Sequence, residues 1–489
     1  MKSLEQAVKI GEGPELPIKE LPDPGPTTFR NFIKWIGPGV ILGSLATGGY
    51  EGQYAPWISS LPGGINTMWL CTVGLILSGL MFTAASRYTM ATGETFFRGV
   101  CRIKPGWLWG PVAFITLYLV FLWPAWVALA GASFATLFGG NTVHWTWALT
   151  ALGYIILVFS KYVYRIVEAF MTIVLILTSV AVVVFTVAAG PNIWGQAAFG
   201  FFLGWLVQNP YALTVPVLGG AAAMVGNHVF QQLSPVCHSG FYTLQMREKG
   251  YGMSRYFGHV TGLAYKPEDI AIHGYAFNHK DSKEIEKWKR WLTINRWEVW
   301  LIYVLWGCFI FTFLYCLSGL LLLEAGQKVP AAQIPVTIGK GFGAKYGTLV
   351  GQFFFFTVGL SFYDAVIGVS DSISRAFTEV VWALSKRARS RSYRFWYYAF
   401  LTFLVIVYVI LTPYKQPTEL WLIGMASIGV AGIVLFPMLY YLTERLLPEE
   451  LRAKGLYGAA EKAGLIISFI LACTIGVYWL WQTLVDLMK

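Results

Sequence analysis

Hydrophobic residues in this chain come in long, nearly unbroken blocks, not in the alternation of a half-buried strand or the 3.6-residue stripe of a surface helix. A helix crosses a hydrocarbon core of about 30 Å with roughly 20 apolar residues. Eleven blocks reach or approach that length: 36–60, 66–86, 107–138, 145–160, 166–189, 211–246, 298–323, 348–382, 395–412, 418–442 and 463–486. The connections between them fall into two alternating sets. One carries Arg98, Arg102 and Lys104, then Lys161 and Arg165, the many bases of 247–296, KRARSRSYR at 386–394, and the segment from Arg445 to Lys462; the other has only Lys328, Lys340, Lys345 and Lys415. Lys and Arg accumulate on the cytoplasmic side of membrane proteins. The N-terminus is therefore expected in the cytoplasm and the C-terminus outside it, in a multi-pass protein of the inner (plasma) membrane.

Blocks one to five and six to ten make two groups of five. Five is odd, so the second group is inverted in the bilayer relative to the first. Two blocks at matching positions are also interrupted. GPGVILGSLATGGYEGQYAPWISS, residues 37–60, breaks at Gly48-Gly49 and carries one carboxylate, Glu51. PYALTVPVLGGAAAMVGN, residues 210–227, ends in Gly226-Asn227 and is followed by His228, Ser234-Pro235 and His238. Irregular backbone at membrane depth is tolerated where it is buried in protein or lines a wet cavity, and an intramembrane carboxylate costs roughly 2.5–3.5 kcal/mol or more. Paired breaks with a lone acid point to a solute site between the first and sixth helices.

The composition supports this class: of 489 residues, 56% are hydrophobic, 17% aromatic and only 12% charged. A net charge of +11 alone would fit a nucleic-acid binder, but the bases sit in short blocks between apolar runs, so no nucleic-acid partner is expected. Cys71, Cys101, Cys237, Cys308, Cys316 and Cys473 are scattered without a CxxC spacing, which implies neither a disulfide framework nor a zinc site. The first 30 residues mix acids with bases, end in ELPDPGPTTFR and lack the apolar core of a secretory signal; 1–34 reads as a disordered cytoplasmic tail. With no Walker loop, HExxH or GxSxG in the chain, no enzyme activity has a motif behind it.

The candidate chemistry is sparse. Glu51 suits a hard cation or a proton equally well, against a structural ion pair nearer the interface. Met224 would add a soft ligand, although methionine in an apolar helix more often simply packs. Gly48, Gly49, Ala221, Gly226 and Asn227 would free backbone groups for a ligand or let helices pack closely. Asp364 and Asp371, seven residues apart in LSFYDAVIGVSDSISR, share a helix face. With Arg375 they form either a proton or ion path or, for Asp371 and Arg375, a plain i,i+4 pair. His228 and His238 titrate near neutrality when exposed and are more often structural when buried. Arg165 and Glu168, at i,i+3, read as a cytoplasmic gate or anchor pair. KDSKEIEKWKRWLTINR, 280–296, reads as an amphipathic helix lying on the inner leaflet.

Several stretches resemble the Nramp family of proton-coupled divalent-metal transporters. GPGVILGSLATGGYEG resembles that family's first helix, SRYTMATGETF (86–96) the end of its second, KYVYRIVEAFMTIVL (161–175) its fourth-to-fifth connection, and GAAAMVGN (220–227) its broken sixth helix. The resemblance implies a LeuT-type fold and a metal site between the first and sixth helices. Its metal-binding tetrad, Asp-Pro-Gly-Asn, falls on Gly48-Gly49-Tyr50-Glu51, and its Met-Pro-His on Met224-Val225-Gly226. The family Asp is thus a Gly here, one carboxylate stands three residues later, and the thioether is kept. In the LeuT-type fold Ser361 and Ser370 would, by analogy, offer oxygens to a sodium-like site between the first and eighth helices.

The sequence reading is an all-α membrane protein of LeuT-type 5+5 inverted-repeat fold with eleven spans: a tail (1–34), a first repeat (35–190), a second repeat (191–442) holding the loop 247–296, and a final segment (443–489). The function expected is alternating-access uptake of a divalent cation coupled to protons. Transport of a small organic or amino-acid solute, or a non-transporting sensor or scaffold, are the alternatives. No resident cofactor is expected, the cation being cargo, and the chain reads as a monomer whose partners are the bilayer and a small solute.

Overall fold

A computed structural model of the chain describes residues 7–47, 54–186, 190–207, 228–229, 235–326, 334–414 and 417–488. The expected site residues Glu51, Gly48, Gly49, Ala221, Met224 and Asn227 lie outside this set.

Helices dominate. In chain order they are α1 (Phe29–Trp35), α2 (Pro38–Ala46), α3 (Ala55–Ser59), α4 (Trp69–Thr92), α5 (Phe96–Val100), α6 (Gly106–Phe121), α7 (Ala125–Phe138), α8 (Thr142–Phe159), α9 (Val163–Thr186), α10 (Pro191–Leu203), α11 (Pro235–Lys249), α12 (Ser282–Trp297), α13 (Phe311–Glu324), α14 (Ile334–Tyr346), α15 (Thr348–Leu384), α16 (Tyr393–Leu411), α17 (Pro417–Tyr441), α18 (Gly455–Leu471) and α19 (Val477–Met488). Among the described residues, nine helical stretches are long and apolar enough to cross a membrane. They correspond to nine of the eleven expected blocks. The remaining two, 36–60 and 211–246, contain the residues outside the description.

Local signals set many of the ends. Asn141 accepts the Val143 N–H at 2.7 Å to open α8, and Asp281 accepts the Lys283 N–H at 2.9 Å to open α12, supplying the donors' missing partners. α4 stops at Gly93, whose φ of +71° puts it in the left-handed region after Thr92, where glycine carries no Cβ penalty.

The 37-residue α15, about 55 Å long at the helical rise, is the central post. Its apolar window is 83% buried, against 33% for α8 and α16, so α15 faces protein while the other two present side chains to lipid. α2 and α9 pack on it, and α2 also crosses the turns that follow α12. Those turns, Glu298–Ile310, are wound as a wider π-helix, so that α12, this segment and α13 form one helical stretch, Ser282–Glu324. A Cβ on Gly43 would stand 2.9 Å from the Gly307 Cα; the two backbones meet there because neither residue has a side chain.

Two expectations about the basic-loop side are corrected. The N-terminal segment, expected disordered, is held from residue 7 onward. β1 (Ala7–Val8) pairs antiparallel with β2 (Leu16–Pro17), and Arg102 donates to the carbonyls of Ile10, Glu12 and Pro14 at 2.9–3.2 Å while binding Glu94 at 2.6 and 2.7 Å. A guanidinium's planar fork can serve a carboxylate and several carbonyls at once, and the segment also buries Ile10 and Leu16 in a small cluster with Ala276. Burial pushes the Glu94 carboxyl up, and the Arg102 charge beside it pulls it further down, to about 2. Helix α12, expected to lie on the leaflet, instead buries Trp288, Trp291 and Ile294 in protein. The N-terminal segment covers it: the Leu21 N–H reaches Glu284 at 2.5 Å and the Trp291 indole N–H reaches the Pro22 carbonyl at 2.7 Å.

Candidate functional site

The residues flanking the two interruptions come together. Tyr54, just after 48–53, sets its ring edge-on to His228, just after 208–227, with centroids 5.3 Å apart. The His228 Nε2 lies 2.8 Å from the Thr67 hydroxyl, and both Tyr54 and His228 are buried. The expected meeting of first and sixth segments is therefore visible from its edges. His238 belongs elsewhere, stacked among the rings of Phe121 and Phe241 as aromatic packing.

On the near side of 48–53, α2 meets α15 through two hydroxyl contacts one turn apart. Thr47 donates to the Ser44 carbonyl at 2.8 Å and its Oγ1 sits 2.9 Å from Ser361 Oγ. With the Thr47 hydrogen used, Ser361 is the donor in that pair. Ser44 Oγ forms a short bond to Asp364 Oδ2 and lies 3.1 Å from the Met171 carbonyl. One serine hydrogen serves one acceptor at a time. The chain Asp364 → Ser44 → Met171 carbonyl is thus complete when the carboxyl carries a proton and one donor short when it does not. Asp364 is fully buried, and its Oδ1 has no hydrogen-bond partner among the described residues. Buried, incompletely paired charge is unfavourable, so this carboxyl is suited to exchange a proton or hold a cation.

Asp371, seven residues on, has a different fate. It accepts from Arg375 Nε at 2.8 Å and the Tyr397 hydroxyl at 2.7 Å. Arg375 also meets Glu248 at 2.5 Å. Glu248 lies near Arg247, Arg247 binds Glu379, and Glu379 pairs with Arg98 at 2.6 Å and accepts from Tyr393 at 2.8 Å. The plain-pair reading of Asp371 and Arg375 is the one seen, extended into a buried network joining α5, α11, α15 and α16. Ser370 is buried on α15 one residue before Asp371.

The Arg165–Glu168 pair is replaced. Glu168 is held by Lys249 at 2.7 Å, and Lys249 also donates to the Ile36 carbonyl at 2.9 Å; the Arg165 guanidinium lies over the Tyr162 ring at 5.0 Å. The long-range partner wins because Glu168 faces the start of α2, where a Cβ on Gly37 would collide with its carboxyl.

Sequence reasoning missed Glu298. Its carboxylate accepts the N–H groups of Gly37 and Gly39 at 2.9 Å each and the hydroxyls of Tyr242 and Tyr251 at 2.9 and 2.6 Å. A negative group at the N-terminus of α2 satisfies orphan donors and meets the positive end of the helix dipole. The only sequence signal was one acid heading the apolar run EVWLIYVLWGCF. Among the described residues, no three His, Cys, Asp or Glu side chains converge as a metal-binding group.

No protein-family model matches the sequence, and no curated protein matches it. Solved structures do match in fold. A single-residue variant of the manganese transporter of Eremococcus coleocola superposes with a TM-score of 0.63 at 13% identity, covering 96% of this chain and 97% of that one. The same transporter in complex with an aromatic bis-isothiourea substituted compound gives 0.59 at 13% identity over the same shares. MhsT in complex with L-phenylalanine gives 0.52 at 11% identity, covering 89% and 97%. The chain is an all-helical, multi-pass membrane protein of LeuT-type fold.

Proposed function

We propose that this chain is a secondary transporter that takes up a divalent cation by alternating access, with Asp364 carrying the coupling proton. The observation behind this reading is the α2–α15 contact: a fully buried carboxyl with one oxygen that has no partner among the described residues, whose hydrogen-bond chain through Ser44 is completed by a proton. In sequence, Ser44 precedes the residues assigned to the solute, Gly48, Gly49 and Glu51, by four to seven positions. On this reading Glu51 supplies the hard oxygen and Met224 the soft ligand that favours a transition metal, with Ala221 and Asn227 offering backbone or amide groups. The basic-loop face is taken as cytoplasmic. Likeness of fold to a manganese transporter supports the reading, and so do the family-like motifs.

The test is uptake of manganese by purified protein in proteoliposomes under an inward proton gradient. Uptake that exceeds empty vesicles and falls at least tenfold in Glu51→Gln supports the proposal. Gly48 in place of the family's Asp favours a second reading, an organic solute in an enlarged site; the fold is also that of MhsT in complex with L-phenylalanine. Amino-acid flux without manganese flux would select that reading, and no flux of either kind would favour a sensor or scaffold.

A further inference from the structure

On the basic-loop face, a cavity of about 590 Å³ opens between the residues that lead into α2 and the loop that follows α11. Pro24, Asn31, Lys34 and Trp35 form one wall, and Lys249, Gly250, Ser254, Arg255, Phe257 and His259 the other. The volume is that of a small-ligand pocket. Three fully cationic side chains and a histidine line it, and no carboxylate does.

Many buried cations of this face are matched to acids: Arg87 to Glu461, Arg98 and Arg247 to Glu379, Arg102 to Glu94, Arg375 to Asp371, Lys287 to Glu284, and Arg290 to Asp23. At the cavity itself Lys249 is likewise paired with Glu168 and His259 lies near Glu248. Lys34 and Arg255 have no hydrogen-bond or ion-pair partner among the described residues, although they converge on one cavity. Asn31 is already committed to the carbonyls of Pro24 and Pro26, which fixes that wall. Lys249 and His259 also line an adjoining cavity of about 370 Å³ that Arg165, Glu168 and Glu248 line as well, so these two residues stand between the two cavities.

Two unmatched cations, Lys34 and Arg255, at a half-open cavity that Trp35 and Phe257 also line are complementary to a compact polyvalent anion. Arg255 offers a planar fork suited to phosphate oxygens and Lys34 a point charge. On α1, Phe29 and Ile33 stay 68% and 52% exposed beside Lys34, as on an element that rests at a lipid interface.

We propose that this cavity binds a phosphate group, either of a lipid head group or free in solution, through Lys34 and Arg255 with Lys249 behind them. Bound phosphate ties the approach to α2 to the loop after α11. If the chain works by alternating access, this holds the basic-loop face closed; the binding itself does not depend on that reading.

The experiment uses the full chain in neutral-lipid nanodiscs, with binding read as a shift in thermal unfolding during titration with inorganic phosphate. A parallel series replaces part of the neutral lipid by a phosphatidylinositol phosphate. Saturable stabilisation by either probe, weakened at least tenfold in Lys34→Ala/Arg255→Ala and partly restored in Arg255→Lys, supports the site. Response to phosphate assigns a free anion, and response to the lipid alone assigns a head group. These two residues are exposed and have no partner among the described residues, so the variant is expected to unfold at the same temperature as the parent without ligand. No response to either probe, or equal responses in parent and double variant, overturns the proposal.

Discussion

Ser44 on α2 and Asp364 on α15 share a short hydrogen bond, and the Met171 carbonyl competes for the same serine hydrogen. A carboxyl that donates resolves the competition, and with an ionised one the serine hydrogen serves only one of its two acceptors. The charge state of Asp364 is thereby coupled to how tightly α2 rests on α15. Asp364→Asn keeps the shape and loses the exchangeable proton. Proton-driven uptake is expected to fall by roughly 30- to 150-fold, the equivalent of about 2–3 kcal/mol for a charge-linked hydrogen bond. Ser44→Ala is expected to cost about tenfold. Initial rates with and without a proton gradient measure both, and a gradient response in Asp364→Asn equal to the parent's would remove this residue from the mechanism.

Glu298 makes a separate prediction about the start of α2. Alanine there strands two backbone N–H groups and the Tyr242 hydroxyl, while the Tyr251 hydroxyl keeps the Trp35 carbonyl at 2.7 Å; each charge-assisted bond lost is worth about 1.5–3 kcal/mol. Glu298→Ala is expected to speed amide hydrogen exchange across residues 37–41 at least tenfold and to lower the unfolding temperature. Glu298→Gln, which keeps one acceptor oxygen, falls between. Exchange that stays at the parent rate in Glu298→Ala would mean that other contacts hold this helix end.

The fold was legible because a membrane leaves little choice. Backbone groups in lipid must pair within their own segment, so block lengths and the two breaks carried the architecture. The site was legible in part. Asp364, Ser361 and His228 stood out as polar residues within apolar runs, and each stands at the contact between the first helix and its neighbours. Ser44 and Thr47 did not, since small hydroxyl residues in spans commonly bond back to their own helix. The Glu168–Lys249 pair was hidden for another reason. Spacing along the chain reveals i,i+3 partners such as Arg165, and it is blind to a lysine 81 positions away that folding brings to 2.7 Å. The N-terminal segment was misread because its few apolar residues are scattered among charges and prolines, and what holds it is distant: Ala276 beside Ile10 and Leu16, and Arg102 on three of its carbonyls.

Arg375 is buried between Asp371 and Glu248. Removing one member of a buried ion group leaves its partners uncompensated, at a cost of about 3–5 kcal/mol. Arg375→Ala is therefore expected to be among the most destabilising substitutions on α15. The loss is non-additive: combining it with Asp371→Asn recovers part of it, because one of the two stranded charges disappears. Thermal unfolding in detergent of the two singles and the double completes the cycle. Strict additivity would show that the pair is not energetically coupled.

His259 predicts a pH dependence at the boundary between the two cavities. Its Nδ1 lies 3.4 Å from Glu248, and that hydrogen bond raises the imidazole above its ordinary value against partial burial; Glu268 adds to the rise and Arg375 opposes it. Burial pushes Glu248 itself up, but Arg375, His259 and Arg247 together hold it lower, at about 2, so it is charged throughout the range that matters. Tyr162 faces the histidine ring edge-on. A basic group whose folded-state pKa is raised contributes stability that is fully present below its ordinary value, near 6.5, and is lost as pH rises through the raised one. The difference in unfolding temperature between the parent and His259→Ala should therefore be largest near pH 5.5 and vanish toward pH 9. A difference that is constant across this range would mean that His259 contributes by packing alone and that its charge is not felt by Glu248.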